Sequence, residues 1–262
     1  MPRTHYSHLP LTTHHSFPVN LKLIACEILF RECSFLAAKS VNRIDIEFLP
    51  KGLHDIGRKR MFEHLNAVVQ SQDETQYDAI ILGYALCSGG IVGLEAGSIP
   101  IIVPRAHDCI TLFLGDRFRY KEFFEANPGT YFKTSGWVER GDGLNPFPSG
   151  SVTSKSGESI TYDQMIEKYG VDNAKYIWDQ LTGLDHYTKM AFIETGVEPD
   201  NRFEKETQRL ADEKNLQYEK LNGDLSLMKR LMDGPWDETD FLVVPPGKTI
   251  INDYTDDIIG TV

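Results

Sequence analysis

From residue 20 onward the chain alternates short apolar runs with stretches whose apolar positions recur every three or four residues. Residues 21–29 (LKLIACEIL) are close to continuously hydrophobic, as a strand covered on both faces is. A helix is predicted over 31–40, and 44–48 alternates apolar with acidic residues as a strand does. In Arg58–Gln70 (RKRMFEHLNAVVQ), Met61, Leu65 and Val68 share one helical face. Further strands are predicted at 77–83 (YDAIILG) and 99–104 (IPIIVP). Strand and helix alternating at these lengths point to a parallel sheet with crossover helices.

The middle of the chain breaks the pattern. Residues 118–148 are rich in aromatics and glycine, 149–159 read as a polar exposed loop, and 162–184 are helical in composition. Then the alternation returns: a strand at 188–194 (TKMAFIE), a charged helix at 202–215, a strand at 216–221 (LQYEKL) and a helix at 225–232. A last strand, Phe241–Val244 (FLVV), is stopped by Pro245 and Pro246. The expected fold is α/β, with two Rossmann-like lobes whose parallel sheets face a central cleft. Residues 1–19 form a leader or packing arm, 20–117 the N-terminal lobe, 118–185 an aromatic and helical connecting region, and 186–262 the C-terminal lobe.

Charge narrows the partners. With 27 basic against 38 acidic residues the 262-residue chain carries a net charge of −11, which argues against binding a nucleic-acid backbone. No apolar run approaches the roughly 18 residues of a membrane helix, and residues 1–18 lack the apolar stretch of a secretory signal. The expectation is a cytoplasmic protein whose cysteines (Cys26, Cys33, Cys87 and Cys109) are thiols or ligands rather than disulfides.

Polar residues gather where the predicted strands of the first lobe end. Cys26 lies late in the first strand, and His54 follows the second. Tyr84, Cys87, Ser88 and Gly89 follow the third, and Arg105, His107, Asp108 and Cys109 the fourth. Parallel strands end along one edge, where ligands bind, so these groups would converge on one small volume. Three thiols with an imidazole suit zinc or an iron–sulfur cluster rather than magnesium or calcium. The spacing contains no CxxC pair, so packing as small hydrophobes stands beside ligation. Cys33, among Phe30, Phe35 and Leu36, reads as core. His107 or His54 would carry protons, with Asp108 beside His107 as an orienting carboxylate. Arg105 would clamp an anion or form a structural ion pair. Cys87, Ser88, Gly89 and Gly90, before 91–94, have the composition of a backbone turn opening a helix, an anion site. Phe118, Tyr120, Phe123, Phe124, Tyr131, Phe132 and Trp137 form either a cage for a quaternary ammonium or a hydrophobic core, with Tyr84 and Tyr120 kept as cleft residues.

The segments ACEIL (25–29), GYALCSGG (83–90), PRAHDC (104–109), LGDRFRY (114–120), GTYF (129–132) and DFLVVPPG (240–247) resemble a bacterial and archaeal family known only as a domain of unknown function. The resemblance spans roughly 20–250 and implies that Cys26, Cys87 and Cys109 are shared. It also implies a link to corrinoid-dependent methyltransferases for methylamines and betaines, and so to one-carbon metabolism. Residues and resemblance together predict a metalloprotein whose three cysteines hold zinc or, alternatively, a [4Fe-4S] cluster, acting on a small anionic or methylated substrate as a transferase or lyase. Two other readings stay open: a non-enzymatic accessory that meets a corrinoid only through a partner protein or methyltransferase, and a metal-free crevice that binds an anion.

Overall fold

A computed structural model describes residues 18–54, 57–140, 151–153, 159–171, 173–175 and 187–262. Strands β1 (Asn20–Cys26), β2 (Arg43–Leu49), β3 (Ala79–Gly83) and β4 (Ile101–Pro104) come first, with helix α1 (Phe30–Ala37) after β1 and α2 (Arg58–Gln70) after β2. Helices α3 (Cys109–Leu114) and α4 (Arg117–Ala126) follow β4, and strand β5 (Thr130–Lys133) leads into the short helix α5 (Ser135–Glu139). An antiparallel ribbon of β6 (Ser151–Thr153) and β7 (Ser159–Thr161) precedes α6 (Tyr162–Tyr169). The chain then passes through β8 (Lys189–Glu194), α7 (Arg202–Glu213), β9 (Gln217–Asn222), α8 (Ser226–Asp233) and β10 (Phe241–Val244). A ribbon of β11 (Ile250–Asn252) and β12 (Ile259–Thr261) completes it.

The result is a mixed α/β fold with parallel sheets. The larger sheet has the order β10-β4-β3-β1-β2, parallel throughout except for β10. From β1 the chain steps outward to β2, then returns past β1 to β3, so the winding reverses direction between β1 and β3. Strand alternation divides the core. Leu21, Leu23, Ala25 and Ile81 pack on one face against Cys33 and Leu36 of α1 and against Leu227, Met228 and Leu231 of α8. Ile24, Ile80 and Leu82 pack on the other against Met61, Leu65 and Val69 of α2 and against Ile250 and Ile259. Each such fully buried aliphatic side chain contributes about 1.5–3 kcal/mol. Covering both faces explains why these strands read as continuous apolar runs.

The second sheet, β5-β8-β9, is parallel, and α7 sets Leu210 and Ala211 against Met190. Two strands lie away from their predicted company. FLVV, read with the C-terminal lobe, is the edge of the first sheet, where Phe241 pairs with Pro104 and Val244 with Ile101. Its residues are apolar in both orientations, and that sheet covers them on both sides: Phe241 joins one core and Leu242 and Val244 the other. Residues 130–133, read inside the connecting region, supply a strand of the second sheet. Residues 27–29, predicted as strand, form a 3₁₀ turn running into α1. The predicted arm at 1–17, and parts of the predicted loop at 149–159 and helix at 162–184, lie outside the described residues. Among the described residues no helix is long and apolar enough to cross a membrane.

Segments following the strands of the second sheet meet helices that follow strands of the first. Asp224 N–H donates to the Phe113 carbonyl (2.8 Å), Arg119 Nη2 to the Asn222 carbonyl (2.6 Å), and Thr195 Oγ1 to Glu32 Oε1 (2.9 Å).

Candidate functional site

The strand order places the three predicted sulfurs at the ends of three neighbouring strands. Cys26 ends β1, Cys87 lies in the turn after β3, and Cys109 opens α3 just past β4. Neighbouring strands lie about 4.8 Å apart. Cys26 and the segment from Tyr84 to Cys87 flank the point where the winding reverses, the place where open α/β sheets bind ligands. Strand β2 lies on the far side of β1 from β3 and β4, and its continuation, the turn Lys51–His54, is tied to the end of β1 by Lys51 N–H, which donates to Glu27 Oε1 (2.9 Å). The side chain of His54 lies outside the described residues.

The sulfurs sense one another. Burial pushes the Cys87 thiol up to about 12, a backbone hydrogen bond at Ala85 pulls the other way, and the charges of Cys26 and Asp108 add to the rise. Burial, then the charges of Asp108, Cys87 and Cys26, hold Cys109 well above the ordinary thiol range, against a hydrogen bond from Trp137. Both are therefore neutral thiols at physiological pH. All four cysteines carry thiols rather than disulfides, and Cys33 is core as expected, 1% exposed. Among the described residues no three His, Cys, Asp or Glu side chains are spaced to hold a metal ion.

Beside Cys26 and Cys87 stands Tyr84. Its side chain is 3% exposed, and its hydroxyl oxygen has no hydrogen-bond partner among the described residues. Burial first, then the charges of Cys26, Cys87 and Glu27, raise this phenol far above its usual range, so it remains neutral. At Gly83, just before Tyr84, a Cβ would lie 2.5 Å from the Ala25 Cβ, so only glycine lets β3 approach β1 this closely.

The turn after β3 is strained. Cys87, Ser88 and Gly89 have φ of 46°, 58° and 86° in succession. Two non-glycine residues in the left-handed region cost on the order of 1–3 kcal/mol each and cluster at functional sites. Hydrogen bonds hold them there: Leu86 N–H donates to the Ala106 carbonyl (2.8 Å) and Cys87 N–H to the His107 carbonyl (3.0 Å), which clips the turn to the end of β4. Gly89 and Gly90 N–H donate to the carbonyls of Leu86 and Cys87 (2.8 and 3.1 Å). The donors predicted to receive an anion are thus spent within the protein at Cys87, Gly89 and Gly90, while the Ser88 side chain is exposed. The predicted helix does not follow. Gly93 N–H donates instead to the Ile250 carbonyl (2.9 Å), and this tie to the C-terminal ribbon draws the chain away from a helical path.

Around the fourth strand end, His107 is exposed and Asp108 faces elsewhere. Asp108 Oδ1 accepts from Ile110 N–H (3.0 Å) as the cap of α3, and Oδ2 accepts from the Tyr120 hydroxyl (2.8 Å). The extended backbone at Asp108 (φ −150°, ψ 175°) sends it and His107 to opposite sides. Arg105 donates Nε to the Glu238 carbonyl (2.8 Å) and Nη1 to the carbonyls of Asp257 (2.9 Å) and Ile259. In this structure it ties β4 to the C-terminal segment. The aromatic rings cover one another: Tyr120 meets Phe124 and Phe132 at 6.0 and 5.9 Å, and Phe123 meets Phe132 at 5.6 Å.

Two residues outside the predicted set matter here. Trp137, on α5, donates to the Cys109 sulfur and lies under Lys51 Nζ, 5.6 Å from its ring centroid. Glu32 is fully buried on α1, and burial raises its carboxyl to about 7. Its signal was available in the sequence: Glu32 falls on the apolar stripe of Ile28, Leu29, Cys33 and Leu36.

A family model described as "Protein of unknown function (DUF1638)" matches residues 48–232, a span that contains Cys87 and Cys109 and leaves Cys26 outside it. No curated protein and no solved structure matches the chain.

Proposed function

We propose, for a chain that belongs to the DUF1638 family of proteins of unknown function, that the crevice between the ends of β1 and β3 takes a thiophilic metal on Cys26, Cys87 and Cys109. The single observation that carries this reading is the Tyr84 hydroxyl, enclosed beside two of those thiols without a partner among the described residues. A buried polar group left unsatisfied costs about 1–3 kcal/mol, and a ligand bound at the sulfurs would relieve that cost. The donor set fits a soft ion, with zinc preferred and a four-iron cluster the alternative. A metal held there would take the place of the thiol protons and offset the burial and neighbouring charges that keep Cys87 and Cys109 neutral.

The chain's own residues would prepare the site. Trp137 orients the Cys109 sulfur and favours its charged form, and the strained Cys87–Gly89 turn holds the second sulfur at the rim. Zinc with three protein ligands keeps one position open and activates a bound thiol or water. Such chemistry would suit methyl-group metabolism beside corrinoid-dependent methyltransferases, the role that the resemblance of these segments implies.

Metal content of anaerobically prepared protein tests the reading, with Cys26, Cys87 and Cys109 each replaced by Ser. Loss of metal in all three variants, with Cys33→Ser retaining it, is the expected outcome. Native protein that binds no transition metal at stoichiometric level, or variants that retain it, would overturn the proposal. Visible absorbance separates an iron–sulfur cluster from zinc.

A further inference from the structure

Glu32 faces two hydroxyl oxygens, and one of them is shared with a second carboxylate, that of Glu198. Glu32 Oε1 lies 2.9 Å from Thr195 Oγ1 and 3.3 Å from Ser135 Oγ, while Oε2 is buried with no partner among the described residues. Thr195 Oγ1 also lies 3.0 Å from Glu198 Oε1. A hydroxyl has one hydrogen to give. If Thr195 gives it to Glu198, the contact with Glu32 sets two lone pairs against each other; if it gives it to Glu32, the contact with Glu198 does. One added proton resolves both. Glu198 already accepts Thr195 N–H (3.0 Å) and Gly196 N–H (2.8 Å), so a proton there would compete with a backbone bond. The Glu32 carboxyl also accepts a backbone bond within its own residue, but its Oε2 carries no bond among the described residues that a proton there would displace.

The charges around Glu32 are committed elsewhere. On α1 itself, Arg31 donates to Glu139 of α5 through Nε (2.7 Å) and Nη2 (2.9 Å), and its guanidinium lies over the Phe203 ring of α7. Arg202 at the start of α7 is paired with Asp200 (2.6 Å). Cys33 and Cys26 on the α1 side, Ser135 on α5 and Glu198 after β8 bring no positive charge. Burial, with the Glu198 charge adding to it, raises the Glu32 carboxyl to about 7 despite its own backbone hydrogen bond and the hydroxyl bonds from Thr195 and Ser135. The seam leaves no slack for a hydrated carboxylate: a Cβ on Gly136 would meet the Ile28 carbonyl oxygen at 1.8 Å.

We propose that Glu32 is a proton-operated latch between the two sheets: protonated, it closes α1 onto α5 and the segment after β8, and on losing its proton to solvent it loosens that seam. Because α5 also carries Trp137, the latch governs how firmly the indole sits on Cys109. The metal reading plays no part in the argument, and the test uses chelator-treated full-length protein.

The sign follows from the proton being held more tightly in the folded chain. The contribution is complete below about pH 4.5 and is lost as pH rises to about 7. Urea unfolding across that window is compared for wild type and Glu32→Gln, a neutral mimic. The folding equilibrium constant of wild type relative to the variant should fall on the order of a hundredfold. Amide exchange in α5, corrected for base catalysis, should quicken over the same window in wild type alone. Parallel stability profiles, or α5 exchange that ignores pH, would overturn the latch. Should Glu32→Gln fail to fold, carboxyl-carbon NMR of wild type decides: one glutamate must titrate near neutrality, and ordinary titration of all of them refutes the proposal.

Discussion

Replacing Tyr84 by Phe removes one oxygen from the crevice and leaves the ring where it is. In most proteins this change at a buried tyrosine is destabilising, because the hydroxyl is hydrogen-bonded. Here the oxygen is enclosed without a partner among the described residues, so the ligand-free fold carries its desolvation cost, about 1–3 kcal/mol. Phe fills nearly the same volume, and only the contacts of one atom are lost. Tyr84→Phe should therefore stabilise the metal-free protein by about 1–2 kcal/mol, or roughly 2–8 °C in Tm for a chain of this size. Urea unfolding followed by circular dichroism, in chelator and with unchanged m-value, measures it. A loss of about 1 kcal/mol or more would refute the reasoning, since it would mean that the hydroxyl is bonded in the resting fold. The same comparison on metal-loaded protein should shrink or reverse the gain, because the bound site supplies the hydroxyl's partner.

Other substitutions probe the frame around the site. Asp108→Ala removes both the cap of α3 and the acceptor for Tyr120, and should cost about 2–3 kcal/mol in urea unfolding, with Tyr120→Phe costing less because the cap survives. Gly136→Ala drives a methyl into the Ile28 carbonyl. A loss of about 3 kcal/mol or more is expected, together with faster amide exchange in α1 and α5, and an unchanged unfolding midpoint would show that the seam is looser than the geometry requires.

The thiol site was half legible. Cys26, Cys87 and Cys109 could be assigned to strand ends from the apolar runs before them, because continuous hydrophobicity over four to seven residues identifies a strand buried on both faces. That these three ends are neighbours, with β2 beyond β1 at the sheet's edge, depends on the order β4-β3-β1-β2, which no local pattern encodes. The roles imagined for Arg105 and for the turn after Cys87 were read from residue type, yet a guanidinium or an N–H is defined by what it donates to. Their partners (the carbonyls of Glu238, Asp257 and Ile259, and those of His107, Leu86 and Cys87) come from segments up to 154 residues away or from a backbone conformation that the sequence does not display.

What the sequence determined by itself was periodicity: which segments are strand or helix, and that the first strands lie under cover on both sides. Hydrophobic spacing is a local property, and the strands of both sheets except β5 appear in it. Tertiary structure alone decided company. FLVV left its sequence neighbours for the edge of the first sheet, where both its faces are buried, and 130–133 joined a sheet formed mostly by residues nearly sixty positions later. It also decided protonation, because Glu32, Cys87 and Cys109 owe their neutral forms to a loss of water that only the packed chain imposes.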